Sequence, residues 1–151
     1  MKILVVSDSH GRLDYLMKIY EKENPNIVIS AGDYSKDVEE LSYIYDDAKY
    51  FIVRGNCDFM DRSHEDNLEI ELGGKKIFLT HGHIYGVKSS YHHLRLEGVE
   101  RGFDLCIFGH THIPYLEEGD VTLFNPGATK DKSYGIITIE NQALDIELKN
   151  L

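Results

Sequence analysis

Cysteine is scarce in this chain. Only Cys57 and Cys106 occur in 151 residues, too few for a disulfide framework, so a reducing cytoplasm is the expected location. Long apolar runs are missing as well, and no stretch is long enough to span a bilayer. The opening MKILVVSDSHG turns polar too soon for a secretory signal and reads as a strand. Basic residues are the third shortage: 16 Lys and Arg face 26 Asp and Glu, a formal charge of −10. A groove for nucleic-acid backbone needs a basic stripe, and none is present, which disfavours long polyanionic partners. A small phosphate ester remains open, because a local cluster of cations can oppose the global field. Linkers, repeats and low-complexity tracts are absent too, so residues 1–151 are read as a single domain.

What the chain does have is strands. Residues 2–7 (KILVVS) carry an unbroken apolar run rich in β-branched residues, as in a strand buried on both faces. After Gly11, the spacing of Leu13, Leu16, Met17 and Tyr20 predicts a helix that Asn24-Pro25-Asn26 stops. A strand over 27–30, a helix over 36–47 with Val38, Leu41, Tyr45 and Ala48 inward, and a strand over 50–54 follow. That β-α-β-α-β order implies parallel strands with right-handed crossovers. Strands over 68–72 and 75–80 flank Gly73-Gly74, a hairpin signal. A helix over 88–101, a strand over 104–108, and short strands near 113–117, 121–124, 134–139 and 143–148 complete the pattern. Two mixed sheets packed face to face with helices outside is the most economical architecture. The apolar last strands suit a homo-oligomer or, equally, an intramolecular sheet.

Five of the apolar runs end on a potential metal ligand. ILVVS leads to Asp8 with His10 beyond it, and NIVISAG leads to Asp33. FIVRG leads to Asn56, KIFLT to His81, and LCIFG to His110 with His112 two residues on. Singly, each has a plain structural reading as a turn former, cap or packing residue. Jointly, they put oxygen and nitrogen donors at the carboxyl ends of five strands, where α/β sheets gather ligands. Carboxylate with imidazole suits Mn²⁺, Fe²⁺, Ni²⁺ or Zn²⁺, and the lack of thiolates argues against a closed structural zinc site. Two carboxylates leave two divalent ions with net positive charge even after a shared hydroxide is added, which is what a phosphate ester needs. Two such ions about 3.5–4 Å apart can activate a shared water and clamp a phosphoryl group.

These residues resemble the calcineurin-like metallophosphoesterases, through Asp8-Ser9-His10, Gly32-Asp33, Gly55-Asn56-Cys57-Asp58, His81-Gly82-His83 and Gly109-His110-Thr111-His112. Within that superfamily the likeness is to the small single-domain bacterial and archaeal phosphodiesterases, relatives of the retromer sorting subunit. The resemblance implies a four-layer α/β/β/α sandwich of two mixed sheets flanked by helices. It also implies two divalent ions, Mn²⁺ being the expected one. Asp8, His10, Asp33 and His112 would hold one ion, and Asp33 would bridge to a second held by Asn56, His81 and His110. A hydroxide shared by the ions would attack a small phosphate ester, with Asp33, Asn56, His81 and His83 in the catalytic set.

One position departs from the superfamily pattern. Many members carry His after Gly-Asn in the third motif, near the leaving group, and here Cys57 stands there. The subgroup often has Cys at this place. We read Cys57 as a packing residue before a nucleophile, since no basic residue adjoins it. His83 is the nearest candidate to protonate the leaving oxygen; a pocket-wall role is as well supported. Asp58 and Asn125-Pro126-Gly127 are read as supports of the site, and Arg54 as one half of a salt bridge. Two other functions compete: a protein-interaction scaffold that keeps the fold without catalysis, and a nuclease, which the acidic charge opposes.

Overall fold

The computed structural model describes all 151 residues. The first half folds as its periodicity predicts: β1 (Lys2–Val6), α1 (Leu13–Glu23), β2 (Ile27–Ser30), α2 (Ser35–Ile44) and β3 (Lys49–Ile52). β1 and β2 pair in parallel from Ile3 opposite Ile27, and β2 and β3 from Ile27 opposite Lys49. The second half supplies β4 (Asn67–Leu72), β5 (Lys75–Thr80), α3 (His92–Glu100), β6 (Leu105–Ile107), β7 (Tyr115–Glu117), β8 (Thr122–Asn125), β9 (Ser133–Glu140) and β10 (Ala143–Asn150). One sheet has the order β10-β9-β1-β2-β3 and the other β4-β5-β6-β8-β7. Both mix parallel and antiparallel pairs. The last two strands therefore serve an intramolecular sheet, β9 lying between β1 and β10.

Alternation along the strands builds the layers. Ile3 and Val5 of β1 face the opposite sheet, packing with Ile29, Ile77, Leu79, Ile107 and Phe124. Leu4 and Val6, one residue out of phase, pack under Leu16, Ile19 and Leu41 of the first two helices. That is why β1 reads as an unbroken apolar run: both of its faces are covered. On the far side, Phe78, Phe108 and Leu123 pack against Leu94 of α3. The result is a four-layer α/β/β/α sandwich. The Gly73-Gly74 turn has φ of +55° and +79°, the two positive values that a tight hairpin of this kind requires.

Several boundaries differ from expectation. α2 stops at Ile44, three residues before the predicted end at 47. Asp46 and Asp47 would meet the negative end of a longer helix, and Asp47 instead accepts a hydrogen bond from the Tyr20 hydroxyl at 2.8 Å. Tyr45 and Ala48 still pack on the core, but from the turn. α3 begins at His92 rather than 88. Ser89 and Ser90 close a turn on the Gly86 carbonyl, and Ser90 Oγ accepts the His92 N–H at 3.0 Å, the competition with helix that serine side chains offer. β3 ends at Ile52 rather than 54, because the Arg54 N–H leaves the sheet for the Glu65 carbonyl at 3.0 Å. Two short 3-10 turns, His83–Tyr85 and Thr129–Asp131, were not foreseen at all.

Candidate metal centre

The loops that leave β1, β2, β5 and β6 meet at one edge of the two sheets and are laced together by their backbones. The Asp8 N–H donates to the Gly32 carbonyl at 2.9 Å, and the Gly109 N–H to the His81 carbonyl at 2.9 Å. The two pairs are joined by the His110 N–H, which donates to Asp8 Oδ2 at 3.1 Å. Ser7 Oγ donates to the same oxygen at 2.6 Å. Asp8 Oδ2 is thus spoken for, while Asp8 Oδ1 is buried without a hydrogen-bond partner.

Imidazole nitrogens face that free oxygen. His112 Nε2 lies 3.2 Å from Asp8 Oδ1, His10 Nε2 3.7 Å and His81 Nε2 3.9 Å. Asp33 sits between two of them, with Oδ2 3.8 Å from His10 Nε2 and Oδ1 3.4 Å from His81 Nε2. The His81 ring is fully buried, and its Nδ1 donates to the Ala31 carbonyl at 2.7 Å. That bond fixes the ring with Nε2 turned into the cluster; burial works against protonation there, but Asp33 and Asp8 raise the His81 pKa, so a cation bound at Nε2 would displace its proton. His10 Nε2 and His81 Nε2, like Asp8 Oδ1, are buried and unpartnered. Such orphaned groups are costly unless a cation draws them together. Asp8, His10 and His112 form one convergent group, and Asp8, Asp33 and His81 another, with donor atoms inside 4.8 Å in each. The resemblance gives the shared position to Asp33. The geometry points the two Asp33 oxygens to different groups and brings Asp8 into both.

The remaining expected residues stand around this core of five. His110 lies with its ring 5.0 Å from that of His81. Burial, together with the charge of His81 and Lys88, holds its pKa down to about 4, so the ring is neutral and fit to ligate. His83 is 5.5 Å from His81, ring to ring, with Nδ1 buried and unpartnered. Burial and the neighbouring His81 lower its pKa. Asn56 is exposed on the loop beside Asp33, its amide 3.8 Å from Cys57 Sγ. Burial opposes ionisation of Asp33, but the neighbouring His81, with Nε2 3.4 Å away, and the hydrogen bond from the Cys57 N–H (2.9 Å) win and hold it well below the usual carboxylate range.

Cys57 is a correction: it is exposed, so it is no packing residue. Partial burial and then the Asp33 charge raise its pKa, which keeps the thiol protonated and opposes a nucleophilic role. The supporting residues behave as expected. Asp58 accepts the N–H groups of Gly55 (2.8 Å) and Ser35 (3.1 Å), shaping the Asn56 loop. The Asn125 amide is fully buried and donates to the Gly109 carbonyl and Thr111 Oγ1, both at 3.0 Å, bracing the His110–His112 loop. Arg54 is paired to Asp66 at 2.7 Å.

The sequence did not reveal Ser7, Ala31 or Asp37. Asp37 Oδ2 accepts Ser9 Oγ–H (2.6 Å) and the Gly11 N–H (2.8 Å), tying the His10 loop to the first turn of α2. The Tyr34 ring lies 4.8 Å from that of His10. Backbone strain was hidden too. Of ten non-glycine residues with positive φ, five are expected ligands: Asp8, His10, Asp33, His110 and His112. Strain of this kind concentrates at functional sites.

The description of the calcineurin-like phosphoesterase superfamily domain matches residues 1–142. The chain belongs to that superfamily. It is 32% identical to the probable metallophosphoesterase YsnB of Bacillus subtilis over 156 residues, covering 97% of this chain and 89% of the relative. It is likewise 32% identical over 172 residues to a phosphodiesterase of Methanocaldococcus jannaschii, covering 99% of this chain and 95% of that one. The solved structure of Vps29 from Entamoeba histolytica superposes with a TM-score of 0.77 over 100% of this chain and 99% of Vps29. At 19% identity that likeness concerns the fold alone. Membership of a metallophosphoesterase family implies divalent metal ions, and the orphaned donors of this calcineurin-like chain fit them. No helix is long and apolar enough to cross a membrane.

Proposed function

We propose that this chain is a binuclear metal-dependent phosphoesterase that hydrolyses a small phosphate ester, a phosphodiester in preference to a monoester. The observation that carries the reading is the convergence of Asp8 Oδ1, His10 Nε2 and His81 Nε2, all buried and all without a hydrogen-bond partner. Asp8, His10, Asp33 and His112 would hold one ion, and Asp33, Asn56, His81 and His110 the other. Mn²⁺ is the ion we assign, with Fe²⁺, Ni²⁺ and Zn²⁺ compatible with the same donors. Bound there, the ions supply Lewis-acid activation of water and neutralise charge on the phosphoryl oxygens.

The chain's own residues do the rest. Asp33, with Oδ2 toward His10 and Oδ1 toward His81, would serve both halves of the site. The Ala31 carbonyl holds the His81 tautomer, so its Nε2 needs no rearrangement to ligate. Asn56 adds a neutral oxygen donor from a loop that Asp58 pins. His83 is assigned to proton delivery at the leaving oxygen, the task that Cys57 leaves unfilled; because its pKa is lowered, only a minor fraction of the ring carries the proton at neutral pH, and this step should quicken as the pH falls. The free thiols of Cys57 and Cys106 suit the cytoplasm we assign to the protein.

The test is hydrolysis of an aryl phosphodiester with Mn²⁺ by purified protein and by Asp33→Asn, with folding verified for both. Activity in the parent and its loss in the variant are expected; full activity in Asp33→Asn refutes the two-ion reading. His83→Ala should slow diesters with poor leaving groups far more than those with good ones, and equal effects on both would remove His83 from the proton-transfer role. The alternative is an interaction scaffold, which the likeness to the Vps29 fold supports. A scaffold has no need of a full donor set, and an inactive parent that nonetheless folds would favour it.

A further inference from the structure

A cleft of about 360 Å³ opens beside the metal centre, lined by Ser35, Lys36, Cys57, Phe59, Met60 and Arg62 among others. It is continuous with the site, because Cys57 donates its N–H to Asp33 Oδ1 and Ser35 follows Asp33 by two residues. Its volume falls within the roughly 300–1,000 Å³ of small-molecule sites. Phe59 and Met60 are 80% and 79% exposed, an unusual presentation of two adjacent large apolar side chains on so acidic a protein. They do not sit on a slack loop. Asp58 accepts the N–H groups of Gly55 and Ser35, Asp61 accepts Ser35 Oγ–H at 2.6 Å and the Ser63 N–H at 2.8 Å, and Arg54 donates to the Asp61 carbonyl at 2.7 Å.

Of the three carboxylates that line the cleft, Asp58 and Asp61 are occupied by the loop itself and Glu39 accepts the Tyr43 hydroxyl at 3.0 Å, whereas Lys36 and Arg62 are exposed with no carboxylate paired to them. The cleft thus offers a ring, a thioether and two free cations beside a phosphoryl site. A thioether and a guanidinium both pack favourably on aromatic faces. The second cleft bordering the site, about 280 Å³ around Val87–Tyr91 with Thr111 and Ile113, is less suited. Its one aromatic ring, Tyr91, is already packed edge-on with Phe108 and Tyr115 at 5.0 and 4.6 Å.

We propose that the cleft of Cys57, Phe59, Met60, Lys36 and Arg62 is the subsite for the nucleoside moiety of a nucleotide-type phosphoester held at the metal centre. This rests on the phosphoesterase reading above. The base lies against Phe59 and Met60, and the two cations face the sugar and any further anionic group. Specificity then resides in a loop that follows directly on Asn56, so one segment supplies both a ligand and the organic pocket.

The test compares AMP, ribose 5-phosphate and inorganic phosphate by calorimetric titration into the Zn²⁺-loaded protein, with the Met60 methyl resonance followed in parallel. Ribose 5-phosphate carries a hydroxyl at the carbon where AMP carries the base. The parent protein should bind AMP about tenfold more tightly than ribose 5-phosphate, the scale of one base–aromatic stack, and AMP alone should shift the Met60 methyl. The Phe59→Ala/Met60→Ala double variant removes only exposed side chains, so it keeps the fold. In it the ratio should fall to near one while inorganic phosphate binds as before. Equal binding of AMP and ribose 5-phosphate by the parent, or a ratio that survives in the variant, overturns the subsite while phosphate binding leaves the phosphoesterase reading standing. If none of the three binds and no aryl phosphodiester is hydrolysed, both readings fall together.

Discussion

Glu23, remote from the metal centre, offers a stringent test of how the first sheet is held. It closes α1 with its side chain 3% exposed, and its carboxylate meets Lys2 Nζ at 2.8 Å, Lys149 Nζ at 2.8 Å and the Tyr134 hydroxyl at 2.6 Å. One helix is thereby fastened to β1, β9 and β10. Burial alone would raise the Glu23 pKa; the hydrogen bonds from Lys149, Lys2 and Tyr134 outweigh it and bring the value from 4.5 down to about 2. A depression of that size corresponds to about 3 kcal/mol in favour of the folded state when the carboxylate is ionised. Direct reckoning from charge-assisted hydrogen bonds of about 1.5–3 kcal/mol each gives a larger upper bound, which solvent reduces. Both lysines, 39% and 32% exposed, recover much of their hydration when the partner is lost. Glu23→Gln should therefore cost about 3 kcal/mol at pH 7, or about 6–12 °C in Tm for a chain of this size. The sign with pH follows from a depressed folded value. The contribution is complete above pH 4.5, shrinks as the pH falls from 4.5 toward 2, and is less than half its full size at pH 3. The assay is a pair of thermal melts, parent and Glu23→Gln, in chelator at pH 7, 5, 4 and 3, so that other carboxylates cancel in the difference. A gap between the two proteins that is as wide at pH 3 as at pH 7, or no gap at pH 7, would refute the reasoning.

Three further outcomes are expected. Asn125→Ala removes a fully buried amide that serves the Gly109 carbonyl and Thr111, and should cost about 2–3 kcal/mol in a melt while weakening metal retention measured by elemental analysis; unchanged retention would deny Asn125 its role in bracing the His110–His112 loop. Mn²⁺ at a hundredfold excess over its dissociation constant should stabilise the parent by about 2.7 kcal/mol relative to chelator, and Asp33→Asn should lose most of that gain; an equal gain in both would place the ion elsewhere. Cys57→Ser should keep kcat on an aryl phosphodiester within about threefold, since the thiol is held protonated; a loss of several hundredfold would mean that the sulfur takes part in the reaction.

The features legible in the sequence are those written by local periodicity or by burial on two faces. β1 was readable because Ile3 and Val5 face one layer and Leu4 and Val6 the other, which leaves no polar position to interrupt the run. The strand-end donors were readable for a related reason: each follows an apolar run, and a polar residue there must have a use at the sheet edge. Helix ends were less legible because tertiary bonds set them, as Asp47 does by accepting the Tyr20 hydroxyl. The bonds that tune the site were not legible at all. The Ala31 carbonyl fixes the His81 tautomer across 50 residues of sequence, and no alanine announces such a task.

The strain at the expected ligands follows from the same long-range lacing. Asp8, His10, Asp33, His110 and His112 all take positive φ, although a glycine would fill each position with less strain. A glycine has no donor to offer, so the backbone conformation must be imposed from outside the residue. The imposing contacts can be named: Asp8 N–H to Gly32, Thr129 N–H to the Ser7 carbonyl at 2.8 Å, Lys130 N–H to the Asp8 carbonyl at 3.2 Å, and Gly109 N–H to His81. The glycines are spent next door, where room is needed. A Cβ on Gly55 would run into the Asp33 carboxylate, and one on Gly109 into Ser7 and Asp8. Donor residues in strained turns and glycines beside them are thus two halves of one arrangement, which gathers five strand-end donors at one edge of the two sheets.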